Sequence, residues 1–213
     1  MILSLTLALP VCGATQSRFF AGALGGIDAL SADGKTVLDP SALSASSYKP
    51  ENGPTIDLLA GVHWNDYFST QVDYLWNRND AALTSLQASP TAFYQQAFSI
   101  RQYSGLASLL LDFRKRSSWA RPFLSVGTGV VYLKAVPSGQ SSSNGIPRPS
   151  RFDSAAVALH VAVGIDLRVY RGWAFRYSFA ETARSNPISA QLSPPGDRML
   201  ASFRNLFGFV KYF

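Results

Sequence analysis

His63 and His160 are the two histidines of the chain, and hydrolytic chemistry would have to be built on one of them. A hydrolase needs a nucleophile, a base and an orienting acid within hydrogen-bond reach. His63 ends an alternating run, on the face opposite Trp64, and His160 lies inside HVAVGID. Both are read as packing or hydrogen-bonding residues. No motif holds a metal, a nucleotide or another cofactor. Gly127-Thr-Gly129 lacks the third glycine and the following helix of a dinucleotide loop. Arg114, Lys115 and Arg116 stand where a strand enters a short turn, which suits anionic lipid headgroups or water and not nucleic acid. The chemistry that remains is charge pairing. Asp57, Asp73, Asp112, His160, Asp166, Arg168, Arg176 and Arg204 fall on the polar side of alternating runs, where carboxylates and guanidinium groups can satisfy one another.

Those residues need strands to position them, and period two is the mark of a strand with unlike faces. Over 55–64, Ile56, Leu58, Ala60, Val62 and Trp64 face away from Asp57 and His63. The span 68–78 sets Val72, Tyr74 and Trp76 against Gln71, Asp73 and Asn77. In 157–169, Val157, Leu159, Val161, Val163 and Ile165 oppose His160, Asp166 and Arg168; from Trp173, aromatic residues alternate with Ala174, Arg176 and Ser178. Spans 98–114 and 121–135 alternate less cleanly, 18–30 is rich in Gly and Ala with ambiguous facing, and 199–213 closes the chain. The spacing therefore predicts eight strands. Long connections at 33–53, 79–92, 137–151 and 184–197 alternate with short ones at 65–67, 115–120 and 171–172. An up-and-down meander alternates in this way when its ends face different compartments.

Composition narrows the medium. Apolar residues make up 47%, aromatic 13% and charged only 15%, against roughly 25% charged in a soluble domain. Mean hydropathy is only +0.07, and no apolar run approaches the ~20 residues of a membrane-spanning helix. The formal charge of +6 suits contact with anionic surfaces such as lipopolysaccharide phosphates, and equally suits solubility. Residues 1–14 carry no charge and read as the apolar region of a signal peptide, although no Lys or Arg precedes it. Cleavage there would remove Cys12, the single cysteine, and leave 15–213 as one domain. Trp64, Trp76, Tyr132, Trp173 and Tyr177 lie near the ends of the apolar faces, as interfacial aromatic girdles do. Together these features predict an all-β fold: an eight-stranded antiparallel up-and-down transmembrane β-barrel, apolar outside and charge-paired within.

The stretches ARPFLSVGTGVVY and GIDLRVYRGWAFRYSF, with the aromatic ending NLFGFVKYF, make the chain similar to the OmpA-like eight-stranded outer-membrane barrels over about residues 18–213. The resemblance implies a bacterial outer-membrane location, outer-membrane lipids and lipopolysaccharide as surroundings, and recognition of the last strand by the insertion machinery. Phe207, Phe209, Tyr212 and Phe213 would carry that signal, with either an outward Tyr212 or a weakened signal at Lys211. It also implies a structural or surface-interaction role without catalysis, with long loops available to surface ligands. Alternatives are a small pore, a lipid A-modifying barrel enzyme, whose deacylase members carry a His-x-Ser spacing absent here, and a soluble lipocalin-like carrier.

Overall fold

A computed structural model describes residues 18–30, 36–41, 43–88 and 91–213; the expected leader at 1–14 lies outside them. Ten strands form one antiparallel sheet: β1 (Phe19–Leu30), β2 (Thr36–Asp39), β3 (Ser44–Pro50), β4 (Gly53–His63), β5 (Phe68–Gln87), β6 (Ala92–Asp112), β7 (Ala120–Asn144), β8 (Phe152–Tyr170), β9 (Trp173–Ser185) and β10 (Met199–Tyr212). Pairing passes from β4 through β5, β6, β7, β8, β9 and β10 to β1, and β1 pairs back onto β4. The ring is closed, so these eight strands have no free edge. The short β2 and β3 form a hairpin in the first long connection, and β3 extends the sheet beside the upper part of β5.

The sequence expectation for the connections needs correction. Residues 79–92 were expected to form a long loop. Instead β5 and β6 stay paired as far as Gln87 and Ala92. The next connection is also shortened, because β7 runs to Asn144 and pairs with β6 across a register shift at Gln96/Ala97. The cause is a change in which face is apolar. Below Trp76 the outward residues of β5 include Val72 and Tyr74, and the inward ones include Gln71 and Asp73. Beyond it the outward residues include Arg78, Asp80 and Thr84 beside Ala82 and Leu86, while Ala81 and Leu83 turn inward and are buried. On β6, Tyr94, Phe98 and Ile100 turn inward above Gln102 and Ser104. The strands therefore continue into water, where an apolar face must point to the interior. A pattern with its sign reversed partway up reads as interruption.

Those inward residues make an apolar core at the long-connection end, with Leu30, Tyr48, Leu83, Tyr94, Phe98, Ile100, Leu133 and Leu200 at its centre. The connection at 186–198 folds over it. Ile188 and Leu192 insert into the core, Tyr94 donates to the Gln191 carbonyl at 2.5 Å, and Ser46 donates to that of Pro194 at 2.5 Å.

Two glycines make room inside the wall. Phe20 lies opposite Gly61 and Phe123 opposite Gly164. A Cβ at either glycine would sit about 2.2 to 2.4 Å from the phenyl ring. The space that these glycines leave open is thus filled by aromatic rings. At the opposite end, β8 and β9 are joined by Arg171 and Gly172, both at positive φ, the two-residue geometry that matches strand twist in a hairpin.

Candidate functional site

The interior of the ring holds two polar networks separated by apolar side chains. At the level of the short turns, Arg176 on β9 makes a bidentate pair with Asp166 on β8, Nε to Oδ1 at 2.6 Å and Nη2 to Oδ2 at 2.8 Å. Its Nη1 donates to Gln71 at 2.7 Å, and Gln71 donates to Asp73 at 2.5 Å. The guanidinium also lies 4.7 Å from the centre of the Phe123 ring. Planar geometry suits Arg to this fork, and burial makes each charge depend on its partner. Beside it, Arg121 Nη2 pairs with Asp112 at 2.6 Å, and Ser69 donates to the same carboxylate at 3.4 Å. His63 Nδ1 shares a 2.5 Å hydrogen bond with Ser69 and stacks on Tyr212.

Ser69, His63 and Asp112 have the residue types of a hydrolytic triad but not its order. Histidine must bridge acid and nucleophile to move a proton between them. Here Ser69 is the bridge, and it is wholly buried.

Nearer the long connections, Asp28 on β1 accepts from Ser202 and from Asn77, the latter at 2.8 Å, and faces Arg204 at 4.0 Å. Arg204 donates to Thr182, which shares a 3.1 Å hydrogen bond with His160. Arg184 donates to the Val131 carbonyl at 3.1 Å. Phe20, Leu24, Leu59, Leu75, Leu106, Leu206 and Val210 fill much of the remaining interior. Two cavities in the wall's interior measure about 20 and 10 Å³, room for roughly one water each.

Of the residues expected inside, Asp57, Asp73, Asp112, His160, Asp166, Arg176 and Arg204 are buried there. Arg168 departs from that expectation. It lies next to the register shift of β8 against β9, and its side chain reaches the rim. There it donates to the carbonyls of Arg116, at 2.5 Å, and Ser117, at 3.4 Å. Sequence reasoning missed Asp28, on a strand of ambiguous facing, and Arg184, in a span expected to be a loop. It also missed Arg121, although Arg121 shares the parity of Phe123 and Ser125.

The outer wall carries the aromatic residues. Trp76, Tyr103 and Tyr132 are direct neighbours on β5, β6 and β7, and the last two rings approach to 6.4 Å. Trp64 and Trp173 are exposed beside the short turns, and Tyr177 is exposed on β9. From Phe68 to Trp76 the strand rises roughly 27 Å, or about 20 Å in height at the tilt usual for such barrels. On β10, Phe207 and Phe209 face outward, and Phe213 beyond its end is exposed. Tyr212 does not share that outward face. It lies on the same side as Val210, and its hydroxyl donates to Asp166. No frame shift occurs: Lys211 keeps the outward position and donates to the Arg171 carbonyl at 2.6 Å, over the Trp173 ring.

The outer membrane protein beta-barrel domain family matches residues 1–194. The chain belongs to this family. Among solved structures it is similar to Neisserial surface protein A, at 15% identity and a TM-score of 0.54, covering 92% of this chain and 97% of that one. It is also similar to the outer membrane protein OprG from Pseudomonas aeruginosa, at 13% identity and a TM-score of 0.56, with 93% and 97% covered. No curated protein matches the sequence. As an outer-membrane β-barrel, the protein sits in the bacterial outer membrane. Short turns of such barrels face the periplasm, so the mouth near Trp64, Trp119 and Trp173 is the inner one. The apolar core under residues 186–198 is at the cell surface.

Proposed function

We propose that this barrel is a non-catalytic protein of the cell surface. In this reading its interior is closed to ion flow, its wall is fastened to lipopolysaccharide, and its strand extensions form a platform for surface ligands. The observation that carries the reading is a row of cations on the outer wall. Arg78, Arg101 and Lys134 are direct cross-strand neighbours on β5, β6 and β7. They stand one pleat beyond Trp76, Tyr103 and Tyr132. Like charges facing one another weaken a sheet. Three in a row, immediately above an aromatic belt, fit the level of outer-leaflet phosphates. The row ends on β8 at Asp153, the direct cross-strand neighbour of Lys134, which accepts from Tyr132 at 2.9 Å, and Arg78 donates to Ser99 at 3.2 Å.

The closed interior is supported by the buried networks, by the small size of the cavities between them and by the apolar core above. Absence of catalysis is supported by the order of Ser69, His63 and Asp112. Phe207, Phe209 and Phe213 present the outward aromatic edge that the insertion machinery would read, without Tyr212.

Reconstitution tests the reading. Unfolding in vesicles containing lipopolysaccharide is expected to require more denaturant than in phosphatidylcholine alone, and the difference should disappear in an R78Q/R101Q/K134Q variant. Equal stability of the native protein in both lipids would refute the wall site. Lipid A recovered from cells with and without the protein should have one mass profile, and a changed profile would restore the enzyme reading.

A further inference from the structure

The inner mouth contains a cavity of about 390 Å³, within the range of small-molecule sites. Its wall includes Arg116, Arg121, Arg168 and Arg171, with His63 and Tyr212 toward the interior. Among the described residues of the lining, Asp166 is the one side-chain carboxylate, and it already receives Arg176 and Tyr212. Arg116 pairs with Asp66 at 3.4 Å and Arg121 with Asp112 at 2.6 Å, so the excess of guanidinium groups lies with Arg168 and Arg171. Two of its buried residues also have spare hydrogen-bonding capacity. Arg121 is 4% exposed and spends Nη2 on Asp112, while its Nε has no partner among the described residues. His63 is 3% exposed and donates Nδ1–H to Ser69, which passes its own proton to Asp112. His63 Nε2, unpartnered among the described residues, is therefore a lone-pair acceptor that can receive only the P–OH of a protonated phosphate.

Leaving a buried guanidinium nitrogen unsatisfied is costly, and a group that accepts from several N–H donors at once would remove the cost. We infer that the inner mouth is a binding site for a phosphate oxyanion entering from the periplasmic side. The buried Arg121 and His63 line the cavity, and Arg168 and Arg171 lie at the rim. Arg168 also holds the 113–119 turn in place through two carbonyls. Lys211 fixes the carbonyl of Arg171 from the outer wall. The rim is thus braced rather than free to collapse into the cavity. The apolar core at the surface end closes the other approach, so the site opens toward the periplasm and the adjoining leaflet. The same chemistry fits a soluble phosphate ester and the headgroup of an inner-leaflet phospholipid.

The test uses the full barrel in nanodiscs of phosphatidylcholine, with amide resonances of Gly172, Ala174 and Trp119 followed during titration with inorganic phosphate. Saturable shifts in the millimolar range are expected. An R168Q/R171Q variant should bind about tenfold more weakly, as expected for losing charge-assisted hydrogen bonds. R148Q/R151Q, at the cell-surface end, should bind like the native protein. Should the double rim variant fail to fold, R171Q alone, in an exposed turn, should weaken binding in the same direction. A second arm replaces part of the lipid with phosphatidylglycerol. If the same resonances move there but not with inorganic phosphate, the source is the membrane headgroup. If neither addition moves them, or if the shifts survive R168Q/R171Q and R171Q, the inference is overturned.

Discussion

Arg176 shows how much a single charge can hold inside a closed wall. It ties β9 to β8 through Asp166 and, through Gln71, to β5 across the interior. Removing one member of such a pair leaves its partner buried and charged, a loss of about 3–5 kcal/mol. Arg176→Met is therefore expected to lower unfolding stability in lipid vesicles by that amount. Adding Asp166→Asn should recover a large part of it, because the orphaned carboxylate is gone. Equal losses in the single and double variants would show that the pair matters only through packing. At this scale the sequence was informative where parity was clean. Asp57, Asp73, Asp166 and Arg176 could be assigned a face from neighbours two residues away. Asp28 could not, since glycine and alanine on both sides of β1 give the pattern no contrast.

At the scale of the element, each long strand belongs to two media. Val161 on β8 is exposed on the lipid-facing side. Val161→Arg should cost about 2–4 kcal/mol near the bilayer midplane, read from the shift in denaturant midpoint. Ala82, on the outward side of β5 beyond Arg78, should tolerate Ala82→Arg with little change. The inward side above the girdle behaves in the opposite way. Leu83 is fully buried in the surface-end core, and Leu83→Ala should cost about 2–5 kcal/mol. That loss should appear as protease cleavage in the upper strands while the membrane-embedded ring stays intact, since the two regions bury separate apolar clusters. Expecting a loop at 79–92 was an error about the medium. The residues DAALTSLQ alternate well enough for a strand, but Ala81 and Leu83 point inward, whereas below them the inward positions include Gln71 and Asp73.

For the whole molecule, closure has consequences that no strand has alone. Pairing of β1 with both β10 and β4 removes the edges, so unfolding in detergent should require heat. Boiled and unboiled samples are expected to migrate differently on a gel, and identical migration would contradict a closed ring. Across a planar bilayer the native protein should pass no steady discrete current, because the two interior networks and the surface-end core lie in series along the axis. Sustained openings would mean that at least one of these barriers yields.

Strand parity outside β1, the number of strands in the ring and the outward Phe207 and Phe209 of the last strand were present in the linear order of residues. Side chains alternate about an extended backbone whatever surrounds it, and only its two faces need differ for the strand to be read. The partners of Arg176, the inward turn of Tyr212, the rim position of Arg168 and the cavity beside it arose only when eight strands met in one register. Each depends on groups distant in sequence brought within hydrogen-bond length. The height at which the apolar face changes from outside to inside likewise depends on where lipid ends and water begins, and that boundary becomes a position on the chain only once the barrel has a tilt and an axis.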